Sequence, residues 1–131
     1  MSKRITFQKI FDKAWQAFIV EDKPPAMNEN GRCFYEDDFG NCCAVGLALP
    51  EGHESRKYIG SFGNLMHKYP ELFAQEILDT PGDTLVGFQQ RLHDHLAVKG
   101  SWFYSKEYRK QKYIELAEAF HLKVPGENND K

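Results

Sequence analysis

The sequence predicts an α+β fold, a mainly helical single domain of about five helices packed around one antiparallel β-hairpin. Three observations lead there. Apolar residues recur at helical spacing in several segments, and one stretch, Gly31 to Gly46, instead reads as two short strands around an Asp-Asp-Phe-Gly turn. The third is size: 131 residues, 41% of them hydrophobic, suit one domain, which at this length hides roughly two thirds of its unfolded surface. The 10 Phe, 6 Tyr and 2 Trp supply the bulk to fill its core.

The first helix is expected over Thr6 to Val20. Phe7, Ile10, Phe11, Ala14 and Phe18 follow the i, i+3, i+4 spacing of one face, Thr6 or Ser2 can cap the start, and Lys23-Pro24-Pro25 stops it. In the hairpin, Arg32 to Glu36 pairs with Asn41 to Val45, and Gly40 takes the positive φ of a three-residue loop. That register places Cys33, Tyr35, Cys43 and Val45 on one face of the ribbon and Phe34, Cys42 and Ala44 on the other. Glu51 to Gly60 reads as a surface loop. Further helices follow from Phe62 to Tyr69 after a Ser61 cap, from Glu71 to Leu78 behind Pro70, and from Asp83 or Thr84 to Gly100 with a Leu85, Phe88, Leu92, Leu96 stripe. A last one spans Lys106 to His121, with Tyr113, Leu116, Ala117 and Phe120 inward. The globular domain is expected over residues 1–125 and a mobile polar tail over 126–131.

Charge and composition narrow the function classes. Seventeen basic and 19 acidic residues give a net charge of −2, without a field that would gather phosphate backbones or anionic lipid, so nucleic acid is not an expected partner. The longest apolar run, Ala44 to Leu49, falls far short of the ~20 residues of a spanning helix. The first residues lack the apolar core of a signal peptide, and three cysteines form no closed disulfide framework, so a reducing, cytoplasmic setting is expected.

The candidate chemistry is sparse. Asp38-Phe-Gly-Asn-Cys42 is similar to the Asp-Gly-Asn-Cys of ovarian-tumour-type deubiquitinating proteases, but Phe39 breaks the spacing, and His93 and His95 fall in a helical pattern instead of on a strand. A cysteine-dependent hydrolase would use Cys43 or Cys42 with His93 and Asp94. The cysteines and five histidines include neither a C-x-x-C nor an H-x-x-x-H pair, so no metal is expected, and no cofactor. Gln90 and His93 stand about one helical turn apart, and with Asp94 they could form the polar floor of a ligand pocket closed by Tyr35 and Cys43 of the hairpin. The basic residues Lys106, Arg109, Lys110 and Lys112, close after Trp102-Phe-Tyr104, read as a solvated helix face beside core aromatics.

Taken together, Gly31-Arg-Cys33-Phe-Tyr35, Gly40-x-x-Cys43-Ala44-Val-Gly46-x-Leu, Lys68-Tyr-Pro-Glu-Leu72 and Leu92-His93-Asp94 resemble a pattern of small uncharacterised proteins of bacteria and their phages. The resemblance implies a mainly helical α+β fold and a mobile-element context, and brings no activity with it. The reading that follows is an accessory protein, phage or prophage encoded, that binds a host protein or a small ligand without catalysis. The cysteine hydrolase and a binder of a nucleotide-derived signal are the alternatives, and the oligomeric state is left open.

Overall fold

Thr6 opens the first helix. Its hydroxyl accepts a hydrogen bond from the Lys9 amide at 3.1 Å and so satisfies one of the donors that a helix start leaves orphaned. The helix, α1, runs over Phe7–Ala14 and continues as a π-helical segment over Trp15–Val20, in which Trp15, Ala17, Phe18 and Ile19 are all buried. The computed structural model describes residues 4–21, 35, 44–58, 62–93 and 106–125. After α1 come α2 (Ala44–Ala48), a 3₁₀ turn at Glu54–Lys57, α3 (Phe62–Lys68), a 3₁₀ turn at Pro70–Leu72, α4 (Gln75–Leu78), α5 (Gly82–His93) and α6 (Lys106–Phe120).

Among the described residues there is no strand, which overturns the α+β expectation. The only β-type pairing there is an isolated parallel bridge between Ile5 and Phe73. Ala44 and Val45, assigned by sequence to the second strand of the hairpin, instead open α2. The physical reason lies in burial on every side: Ala44, Val45, Gly46 and Ala48 are all buried, and a short apolar run of this kind carries no periodicity that separates strand from helix. A helix satisfies its own amides without a neighbouring strand, and alanine and leucine favour it. The other hairpin positions, Tyr35 apart, lie outside the described residues.

Tyr35 and α2 nevertheless meet. A Cβ added at Gly46 would collide with the Tyr35 carbonyl oxygen and come within 2.6 Å of its carbonyl carbon and 2.9 Å of its Cα. Glycine at 46 is what lets the two backbones approach.

The other helices correspond closely to expectation, with two departures. Glu71–Leu78 is not one helix, because Phe73 is drawn out to bridge Ile5: the Ile5 amide donates to the Leu72 carbonyl and the Ala74 amide to the Ile5 carbonyl, each at 2.8 Å. Within the Glu51–Gly60 connection, His53 caps the 3₁₀ turn by accepting the Ser55 amide at 3.0 Å, and Ser55 is fully buried.

The core is tied together by aromatic side chains from α1, α5 and α6. Phe7, Phe88 and Phe120 form a triangle with centroid separations of 4.8, 5.4 and 4.7 Å, and Phe11, Trp15 and Tyr113 form a second, at 6.0, 5.8 and 6.4 Å. These separations lie in the attractive range for tilted rings. α2 packs against both α1 and α5.

Several polar side chains are directed at backbone carbonyls, one of them in the last turn of the first helix, where carbonyls run out of intrahelical donors. Arg109, 5% exposed, donates from Nη1 to the Phe18 carbonyl at 3.0 Å, and the Tyr113 hydroxyl donates to the Leu92 carbonyl at 2.7 Å. Arg56 donates from Nε and Nη2 to the Leu49 carbonyl just beyond α2, at 3.1 and 2.8 Å.

At the far end of α6 the chain turns through His121 with φ of 58°. The Leu122 amide donates to the Ala117 carbonyl at 2.7 Å and the His121 amide to the Glu118 carbonyl at 3.4 Å, the paired bonds of a Schellman cap. Glycine is the residue that adopts this left-handed conformation without steric cost. His121→Gly is therefore expected to stabilise the protein by ~1 kcal/mol, read as a rise in urea midpoint at unchanged slope.

Candidate anion-binding groove on the first helix

The first helix carries its apolar residues inward, so its polar positions line the surface. Beside its start, Arg4, Thr6, Gln8, Lys9, Asp12, Lys13 and Ala74 surround an open groove of ≈ 680 Å³. The Ile5–Phe73 bridge fixes one wall by holding the strand-like entry of the chain against residues 72–74. Arg4 spans that wall, with Nη1 donating to the Phe73 carbonyl at 3.2 Å. Glu76 closes the end of the helix, its carboxylate accepting the Phe7 amide at 3.1 Å, where the positive end of the helix favours a negative charge.

Gln8 organises the opposite side. Its amide group accepts from the Lys123 amide and donates to the Lys123 carbonyl, both at 2.9 Å, and also donates to Asp12 at 2.8 Å. The segment after α6 is thereby pinned along α1. Lys9 and Lys13, four residues apart, present like charges on neighbouring turns, an arrangement that costs an isolated helix a few tenths of a kcal/mol. Among the described residues, neither lysine's ammonium is matched to a carboxylate within ion-pair distance; the pair seen there is Lys112 with Glu115 at 3.6 Å. Three of the seven residues around the groove are basic and one, Asp12, is acidic, with the Glu76 carboxylate at the start of the same helix.

Compared with protein-family models, curated proteins and solved structures, the chain gives no match. Any functional assignment rests on the chain itself.

The residues singled out by sequence fall elsewhere. Tyr35 is 4% exposed and belongs to the core, its backbone against Gly46. Gln90 and His93 lie on α5, the helix that α2 packs against, and their side chains are outside what is described. Cys42, Cys43 and Asp94 also lie outside the described residues, so the geometry of a Cys43–His93–Asp94 set is not defined. Among the described residues no group of three or more His, Cys, Asp or Glu could hold a metal ion, and no helix is long and apolar enough to cross a membrane.

The basic cluster of α6 divides. Arg109 is buried on the Phe18 carbonyl, while Lys112 lies 5.5 Å from the ring centroid of Tyr108 and pairs with Glu115. Sequence reasoning attended to this cluster and passed over Arg4, Lys9 and Lys13, whose signal was a pair of lysines at i, i+4 on the polar side of a capped helix.

One other pair has the spacing of a nucleophile and its base. The His53 Nδ1 stands 2.9 Å from the Ser55 hydroxyl, and because Nδ1 also accepts the Ser55 amide, the neutral ring carries its proton on Nε2. Ser55 is 0% exposed, however, so no substrate carbonyl can reach its oxygen. The pair caps a turn, and the His53 ring packs edge-on against Tyr69 at 5.5 Å.

Proposed function

We propose that the chain is a non-catalytic binding protein that receives an anionic group of its partner, a host protein or a small ligand, in the groove beside α1. The observation that carries this reading is that Arg4, Lys9 and Lys13 are three of the seven residues around one concavity on a chain of net charge −2. A like-charged pair costs stability when the helix is free, and an anion between the two ammonium groups reverses the sign of that term. The contacts would be exposed to solvent, so each contributes modestly and weakens with salt. Affinity then comes from several contacts acting together.

Thermal unfolding in the presence of citrate, pyrophosphate and polyglutamate tests the proposal. A ligand that binds only the folded state at a hundred times its Kd stabilises it by ~2.7 kcal/mol, so at least one of these anions should raise Tm by several degrees at low salt. The shift should vanish in the Lys9→Ala, Lys13→Ala double variant. No shift with any anion would count against the groove. Hydrolysis of an ester, peptide or ubiquitin-like substrate that disappears in Cys43→Ser would contradict the absence of catalysis.

A further inference from the structure

Resting on that reading, we infer that the groove takes a small amphiphilic monoanion, a free alkyl carboxylate whose chain lies along α1 and whose head meets Arg4. The first reason is the surface of the groove. Most of what it exposes is apolar, yet of the seven residues around it only Ala74 has an apolar side chain. The remaining apolar surface comes from carbon atoms of the polar residues, among them the aliphatic stems of Arg4, Lys9 and Lys13 and the Thr6 methyl. Long cationic side chains supply such a lining while their heads stay in water. A hydrated inorganic anion leaves that surface wet, and an alkyl chain covers it. The volume of ≈ 680 Å³ falls within the ~300–1,000 Å³ of small-molecule sites. Between Thr6 and Lys13 the helix rises about 10 Å, room for a chain of medium length.

The second reason is charge. The Arg4 guanidinium has a fixed place at the groove wall, with Nη1 on the Phe73 carbonyl at 3.2 Å, and that bond uses one of its five N–H donors. A planar guanidinium held this way can still pair with a carboxylate. One negative charge is enough for that pairing. Each further charge adds repulsion from Asp12, on the groove, and from the Glu76 carboxylate at the start of the same helix, so selectivity beyond the first charge comes from the chain. The net charge of −2 gives no attraction to an anionic bilayer, which favours a free amphiphile over one held in a membrane.

Titration of the ¹⁵N-labelled full chain with sodium hexanoate, octanoate and decanoate, below their micellar concentrations, tests this inference. A fully buried methylene raises affinity roughly fourfold, and one lying in an open groove roughly twofold. Decanoate should therefore bind at least tenfold more tightly than hexanoate and shift the amides around the groove. Octyl glucoside, with an eight-carbon chain and no charge, should bind at least fivefold more weakly than octanoate, and Arg4→Gln should remove that difference. Lys9→Ser with Lys13→Ser, which shortens both stems, should flatten the dependence on chain length. Lys9→Met with Lys13→Met, which keeps stems of similar length without their charge, should retain it, a contrast that misfolding does not produce. Equal binding of hexanoate and decanoate would overturn the inference, and so would a chain-length dependence that the serine pair leaves intact. If citrate or pyrophosphate stabilises the protein through the same lysines while added methylenes change nothing, the anion-binding reading stands and this inference alone falls. If neither alkyl carboxylates nor the polyvalent anions bind, both fall. Phosphatidylglycerol vesicles should not bind; vesicle binding that is lost in Arg4→Gln would make the membrane the source and overturn the choice of a free ligand.

Discussion

Gly46→Ala is expected to lower the free energy of unfolding by ~3–5 kcal/mol. The added methyl meets backbone rather than a side chain that could rotate away: the carbonyl oxygen, carbonyl carbon and Cα of Tyr35 all lie within clash distance. Relief requires Tyr35 to move out of a site where it is 4% exposed, or α2 to withdraw from α1 and α5. Either movement opens the core. Gly87→Ala supplies the contrast, since Gly87 sits inside α5 with nothing within 4 Å of the added Cβ. There alanine should stabilise by ~0.5–1 kcal/mol through helix propensity. Urea titrations of the two variants should therefore move in opposite directions.

Tyr113→Phe should cost ~1–2 kcal/mol at neutral pH, because the Leu92 carbonyl loses the hydroxyl that bonds it at 2.7 Å inside the core. Its effect at high pH should be the reverse. Burial holds the Tyr113 phenol well above its usual pKa of 10.0, and Arg109, one turn earlier on α6, offsets part of that rise. Above pH 10 the unfolded chain releases this proton while the folded chain keeps it, so stability falls as pH rises. The loss is about 1.4 kcal/mol per pH unit until the folded-state pKa is reached, and the contribution is fully present below pH 10. Phenylalanine has no proton to lose. The stability gap between variant and parent should close within roughly one or two pH units above 10 and then change sign, as measured by denaturant unfolding at successive pH values. A gap that stays constant would mean that the hydroxyl is not buried as described.

Much of the helical content was legible from residue spacing. The Phe7, Ile10, Phe11, Ala14 row, the Leu85, Phe88, Leu92 stripe and the Tyr113, Leu116, Ala117 face have a clear 3.6-residue period, and each occurs as a helix with those residues in the core, except Phe7, which packs against it half-buried. What was not legible depends on contacts between distant residues. Ala44 to Ala48 is buried all round, so its pattern has no period to read, and the approach of Tyr35 decides its backbone. Phe73 breaks a helical stretch only because Ile5, far away in sequence, pairs with it. Arg109 looked like a surface cation, and becomes a core residue because the last turn of the first helix leaves the Phe18 carbonyl to be satisfied. The groove was illegible for the same reason: Lys9 and Lys13 are ordinary surface lysines until the bridge through Ile5 and the Gln8–Lys123 pairing build walls beside them.

The central claim is that this groove is where a partner's anionic group is held. Chemical-shift mapping of the ¹⁵N-labelled full chain, titrated with citrate, pyrophosphate and polyglutamate in turn at low salt, tests it most directly. The expected result is a saturable set of shifts confined to Arg4, Thr6, Lys9, Asp12, Lys13 and Ala74, abolished in Lys9→Ala, Lys13→Ala. Saturable shifts centred on α5 and α6 and unaffected by those substitutions, or no saturable shifts at all, would contradict it.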